Sequence, residues 1–198
     1  MKILVIGATG TIGAAIVEAR HEVLRASHTR SALTVDLADP DSIKRLYTKV
    51  GRVDAVVSAA GQAAFRPLLA LSDADFAVSL TNKLMGQVNL VRFGVEVLAG
   101  GGSFTLTTGI LSRQPMPGAA AISMVNAGLE GFVRAAALEL PRGLRVNAVA
   151  PGWVRETLVT MKMDPRSSVL AAQVAQTYLR AVAGSMTGQI LDAVAGAD

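Results

Sequence analysis

Three glycines at three-residue spacing, Gly7, Gly10 and Gly13, follow directly on the apolar run Ile3 to Ile6. Four apolar residues are too few for anything but a buried strand, and the glycines after them spell a tight turn and a helix start. Such a turn leaves backbone N–H groups unpaired at a helix N-terminus, and glycines without a Cβ let a pyrophosphate come within hydrogen-bonding distance of them. The chemistry this stretch can do is capture of a dinucleotide, with Gly7, Thr9, Gly10, Thr11, Ile12 and Gly13 as the cradle. A turn that needs glycine only for close packing is the competing reading.

A second signal lies at the tip of the next strand, Arg25-Ala26-Ser27-His28-Thr29-Arg30, which has no carboxylate. An acid there selects the free 2′-hydroxyl of NAD, whereas Ser27, His28 and Arg30 suit a 2′-phosphate, so NADP is favoured and NAD remains open. Other chemistries find little support. Cysteine is absent, which removes disulfides and thiolates. His21 and His28 are the only histidines and no metal-site spacing surrounds them, so no metal is expected. There is no Gly-x-Ser-x-Gly elbow for serine hydrolysis. The net charge of +4 comes from scattered arginines, and aromatics are only 4%, which argues against nucleic acid.

The elements that must position these residues follow from periodicity. Thr11 to Ala19 reads as the first helix, His21 to Leu24 as the second strand and Leu33 to Val35 as the third. Asp39-Pro40 caps a helix whose Ile43, Leu46, Tyr47 and Val50 share one face. Val53 to Val57 form a fourth strand ending at Ser58-Ala59-Ala60-Gly61. Ser72, with Asp75 three residues on, starts a long helix that runs through Leu80 and Leu84 to about Leu98 and is stopped by Gly100-Gly101-Gly102. Phe104 to Thr107 give the fifth strand, Ala119 to Leu140 a second long helix, Val169 to Val182 the last helix and Gln189 to Val194 the last strand. Strands alternating with helices predict an α/β fold: one doubly wound Rossmann-type domain over 1–198, with a seven-stranded parallel sheet and helices on both faces. With 51% hydrophobic residues, no apolar stretch of membrane-spanning length and no signal peptide, a soluble cytoplasmic protein is expected.

Taken together, these stretches resemble the short-chain dehydrogenase/reductase family. The likeness is carried by the turn Gly7 to Gly13, by Asp36-Leu37 where that family contacts adenine, by Ser58-Ala59-Ala60-Gly61 in the place of its Asn-Asn-Ala-Gly, and by Asn147-Ala148-Val149-Ala150-Pro151-Gly152. The resemblance implies an NADP(H) site that also uses Ala59, Ala60, Gly61, Pro151, Gly152 and Thr157. It implies a homodimer through the two long helices, the second of which is rich in Ala127, Gly128, Gly131 and Ala135. Trp153, Met161 and Met163 follow Gly152 in a short lobe and are candidates to line an apolar pocket.

The family's catalytic tyrosine, and the lysine four residues after it, map to Ile122 and Asn126. Isoleucine has no proton to give and asparagine no charge, although its amide can bind a ribose hydroxyl. The family's carbonyl-polarising serine maps to Thr108, and the asparagine of the preceding helix to Ser79. Lys83, one turn after Ser79 in an apolar stretch, is a candidate to point into the cofactor cleft and supply the missing charge, the competing reading being a solvent-facing or interface lysine. Two functions follow: hydride transfer between NADP(H) and a small carbonyl or alcohol substrate, or a catalytically silent NADP(H) sensor.

Overall fold

The computed structural model describes residues 1–18 and 22–196. Its strands are β1 (Lys2–Ile6), β2 (Glu22–Ser27), β3 (Leu33–Thr34), β4 (Val53–Ser58), β5 (Leu98–Thr107), β6 (Arg145–Pro151) and β7 (Ile190–Ala193). The helices are α1 (Thr11–Val17), α2 (Pro40–Val50), α3 (Asp73–Val78), α4 (Gly86–Gly94), α5 (Ala120–Glu139), α6 (Arg155–Thr160) and α7 (Ala171–Ala183). All seven strands are parallel, in the order β3-β2-β1-β4-β5-β6-β7. The fold is the doubly wound, seven-stranded Rossmann-type sheet expected. The direction in which strands are added reverses between β1 and β4, and the carboxyl ends of those strands frame the crevice where such sheets bind ligands.

Alternation along β1 builds both halves of the core. Leu4 and Ile6 face α2, α4 and α5, joining Ile43, Leu46, Leu90, Phe104 and Leu129. Ile3 and Val5 face α1 and α7, joining Ile16, Val174, Tyr178 and Val182. Because both faces are covered, the strand reads as a continuous apolar run. Each such side chain contributes about 1.5–3 kcal/mol on burial. Among the described residues, no helix is long and apolar enough to cross a membrane.

Four boundaries differ from expectation, each for a physical reason. The expected helix end at Ala19 and strand start at His21 lie outside the described residues, but β2 runs on to Ser27 because it pairs with β1 through Ile6↔Ala26. Ser72 and Asp75 do form a reciprocal capping box, yet the helix they start is broken by a π turn over Ser79–Met85 and ends at Gly94. Gly100-Gly101-Gly102 do not stop that helix. They lie in β5, where the partners of Val53 and Ala55 are Leu98 and Ser103, so the glycines take up a bulge. In the last segment, Val169 bridges to Val154 and the helix begins only at Ala171, whose N–H donates to the Glu156 carboxylate at 3.0 Å.

Beneath the carboxyl edge of the sheet, the Tyr178 hydroxyl donates to Thr107 Oγ1, which in turn donates to the Ser58 carbonyl. This chain ties α7 to the ends of β4 and β5. Tyr178→Phe removes one buried hydrogen bond without stranding a donor, so it is expected to lower stability by about 1 kcal/mol. The midpoint of urea unfolding reads that loss.

Candidate functional site

The turn after β1 is closed by its own backbone. Gly7 N–H and Ala8 N–H both donate to the Ala26 carbonyl, at 2.9 and 3.1 Å, and Gly10 N–H donates to Gly7 O at 3.0 Å. The first intrahelical bond of α1 is Ala14 N–H to Gly10 O, leaving the Thr11, Ile12 and Gly13 amides without backbone acceptors. The glycines have separate jobs. A Cβ on Gly7, at φ 81°, would sit 2.6 Å from the Ala59 carbonyl oxygen, and one on Gly13 only 2.0 Å from Gly7 O. Both are packing requirements. A Cβ on Gly10 would meet nothing nearer than 3.4 Å, so Gly10 keeps the space in front of the free amides open.

Two cavities flank this turn. The first, about 350 Å³, is lined by Gly7, Ser27, His28, Asp36, Leu37, Ala60 and Gly61 among the expected residues, together with Gln62, Thr81 and Asn82, which sequence reasoning missed. Arg30 N–H donates to Ser27 Oγ at 2.9 Å, and its guanidinium reaches the Thr9 carbonyl at 3.2 Å. That clamps the β2 tip over the glycine turn. Asp36 accepts from Ala38 N–H at 2.9 Å and lies 3.9 Å from His28 Nε2. Ala59 abuts Gly7 through its carbonyl and is not part of the lining.

The second cavity, about 420 Å³, opens beside the ends of β5 and β6. It gathers Ile12, Lys83, Thr108, Ile122, Asn126, Pro151, Gly152, Trp153, Thr157 and Met161. Two expected residues are elsewhere. Ser79 is fully buried, its hydroxyl donating to the Asp75 carbonyl at 2.7 Å and accepting from Ala64 N–H at 2.9 Å, so it holds the loop after β4 and does not line the cavity. Ser79 opens a π turn that runs to Met85, and its hydroxyl is taken up by backbone groups, whereas Lys83 in the same turn lines the cavity. Met163 is exposed and also off the cavity wall. Phe65 was missed. Its ring stands edge-on to Trp153, with centroids 6.2 Å apart and planes at 84°, closing the apolar side. It comes from an irregular loop with no periodicity to betray its direction.

A family model described as enoyl-(acyl carrier protein) reductase matches residues 8–193. The chain belongs to the short-chain dehydrogenase/reductase family. Hydroxynaphthalene reductase arp2 of Aspergillus fumigatus is 31% identical over 132 residues, 64% of this chain and 48% of that protein. This family member spans about half the length of the curated relatives it matches. Among solved structures, protein lin1944 of Listeria innocua is 42% identical with a TM-score of 0.93, covering 97% of this chain and 98% of that one. A small-chain dehydrogenase in complex with NADPH is 27% identical with a TM-score of 0.86, covering 97% and 95%.

In this short-chain dehydrogenase/reductase, the polar groups around the second cavity are unevenly satisfied. Thr108 Oγ1 has acceptors in the Asn126 carbonyl at 3.2 Å and Glu130 Oε1 at 3.3 Å. Buried Glu130 also accepts from Ser112 Oγ at 2.5 Å and pairs with Arg134 at 3.3 Å and Arg113 at 3.8 Å. By contrast, Asn126 Oδ1 is buried with no partner. Lys83 is only 7% exposed, and among the described residues its ammonium makes no hydrogen bond or ion pair. Its stem packs on Gly61, and the Gln87 amide bridges its carbonyl, at 3.2 Å, to that of Thr107, at 2.8 Å.

Burial pushes the Lys83 ammonium down from 10.5 to about 8. That shift corresponds to a stability cost of about 3 kcal/mol while the group is charged. The unfolded chain holds this proton more tightly, so the cost is full below pH 8 and disappears as pH rises towards 10.5. Lys83→Met is therefore expected to raise stability at pH 7 by up to about 3 kcal/mol, with the gain shrinking between pH 8 and pH 10.5. Urea unfolding of both proteins across that range tests it.

Proposed function

We propose that this protein moves a hydride between NADP(H) and a small, largely apolar carbonyl or alcohol substrate. The observation that carries the reading is the unpartnered buried amide oxygen of Asn126, beside the 7% exposed Lys83, on the wall of a largely apolar cavity that meets the glycine turn at Ile12. A buried amide oxygen without a donor is costly unless a ligand supplies one, and a ribose hydroxyl has the chemistry to do so. The residues fit a dinucleotide along its length. Ser27, His28 and Arg30 would hold a 2′-phosphate, Asp36, Leu37, Ala60 and Gly61 the adenosine, and the Thr11 to Gly13 amides the pyrophosphate. Asn126, Pro151, Gly152 and Thr157 would hold the nicotinamide half. When bound, NADPH supplies the hydride, and the protein's part is to bind, orient and exclude water.

The small-chain dehydrogenase with NADPH, and relatives named as reductases, support this reading. The silent-sensor alternative, which rested on Ile122 and Asn126, is not favoured, because the relatives that this chain resembles are named as reductases and dehydrogenases. We read the protein as cytoplasmic and as a single domain. We also infer a homodimer through α4 and α5: the outer face of α5 presents Met124, Ala127, Gly128, Gly131, Ala135 and Leu138, and Leu138 is 89% exposed.

Two experiments test these statements. In a fluorescence titration, NADPH is expected to bind at least about tenfold more tightly than NADH, and Arg30→Ala to erase most of that preference by removing a charge-assisted phosphate contact. A carbonyl panel followed by NADPH consumption then tests turnover. In light scattering, the 20.5 kDa chain is expected at twice its mass. Gly131→Arg, placed where a side chain meets nothing within 4 Å and where helix propensity rises, is expected to give a folded monomer.

A further inference from the structure

We propose that Lys83 is the catalytic acid of this site, delivering its proton to the substrate oxygen in place of the tyrosine that Ile122 has replaced. The inference rests on the carbonyl-reductase reading above and adds the identity of the proton donor.

Elimination on the cavity wall leads to it. Lys83 is the only titratable side chain among the residues lining the cavity. Thr107 Oγ1 accepts from Tyr178 and donates its single proton to the Ser58 carbonyl. The Thr108 proton lies between two acceptors, the Asn126 carbonyl and the Glu130 carboxylate, so its remaining capacity is its lone pairs. Thr108 can therefore accept from an ammonium or an alcohol while its own proton is engaged by these acceptors. Lys83 has three N–H bonds and no partner for any of them among the described residues.

Reaction bookkeeping closes with groups already named. As the carbonyl carbon receives hydride from the reduced nicotinamide, an N–H bond of the Lys83 ammonium breaks and an O–H bond forms on the substrate oxygen. The lysine is left as a neutral amine and regains its proton from water at the cavity mouth. In alcohol oxidation the neutral amine takes the hydroxyl proton. A group titrating at about 8 serves in both directions near neutral pH. The charged groups on elements packed against its turn are Asp73 and Asp75 on α3, Arg92 on α4, and Glu130, Arg134 and Glu139 on α5. None pairs with Lys83: Asp75 is held by Ser72 and Arg66, Arg92 by Asn89, and Glu130 by Ser112, Arg113 and Arg134. Desolvation alone sets its affinity for the proton.

Lys83→Met and Lys83→Arg decide the matter together. Arginine keeps the charge but holds its proton throughout the working range, so a charge-only role is rescued by arginine and a proton-transfer role is not. Both variants are expected to bind NADPH in fluorescence titrations and to lose about 100-fold or more of kcat. Wild-type reduction is expected to fall above pH 8 and oxidation to rise through the same pH. A readout independent of turnover is the ammonium itself: isotope-labelled lysine NMR on the cofactor-free protein should show a signal titrating near 8 that Lys83→Met removes. Lys83→Arg retaining a tenth or more of kcat, Lys83→Met losing nothing, or a Lys83 titration at the usual lysine value would each overturn the proposal. A wild-type protein that reduces no carbonyl in the panel would bring down the reductase reading as well, which separates the two failures.

Discussion

Three backbone segments meet at Gly7, Gly13 and Ala59 with no room for a side chain between them, and the site depends on that contact. Any Cβ at Gly7 or Gly13 would fall within 2.6 Å of a carbonyl oxygen. Because it does not, α1 starts hard against the ends of β1 and β4, the adjacent strands where the sheet reverses its winding. The amides of Thr11, Ile12 and Gly13 then open onto the crevice instead of onto the sheet. Much of the rest of the crevice is delivered by strands ending at the same edge: Ser27 by β2, Ala60 and Gly61 by β4, Thr108 by β5, Pro151 and Gly152 by β6.

Below that edge lies a layer of polar side chains that a purely apolar core could not replace. Gln87 bonds both the N–H and the C=O of Thr107, at 2.7 and 2.8 Å, so a side chain from α4 acts as one more strand residue beside β5. Tyr178 reaches the same threonine from the opposite face of the sheet. On the other side of Thr108, Glu130 and Arg113 continue the chain of contacts to Asp192 on β7. Buried networks of this kind are stabilising only when nearly every member is satisfied, and they fix geometry more than they add stability. The unpartnered amide oxygen of Asn126 stands out because it lies on the cavity wall, whereas the other unpartnered buried atoms, the hydroxyls of Ser58, Ser103, Thr105 and Ser123, do not line it.

The seven parallel strands and the helices between them were legible because they follow from period and glycine chemistry. Ile3 to Ile6 could only be a doubly covered strand, and Asp39-Pro40 could only open a helix. Three things were not legible. The π turn at Ser79–Met85 has no signature in helical periodicity, and neither has the loop after β4 that occupies the Ser79 hydroxyl, so Ser79 was expected at a cavity that only Lys83 reaches. The glycines at 100–102 look like a helix stop, but their freedom serves a bulge in β5, which depends on β4 as a partner. Phe65 sits in an irregular loop where local sequence carries no direction, and only the ring of Trp153, 88 residues away in sequence, defines its place.

The same π turn bears on how a fold can exchange its catalytic groups. The chemistry at such a site asks for a positive charge, a proton and an amide or ammonium for a ribose, and it is indifferent to which helix brings each. In the arrangement we propose, α5 would bring the amide through Asn126 and the π turn before α4 the charge through Lys83, dividing between two helices what one helix carries in the family pattern. Burying an unpaired ammonium costs about 3 kcal/mol, comparable with one buried leucine or isoleucine. A sheet covered on both faces, with Leu4, Ile6, Ile43, Leu90, Phe104 and Leu129 among its buried residues, carries that cost without losing its fold. Local instability at a site, offset by a core that does not take part in it, is the usual relation between activity and stability.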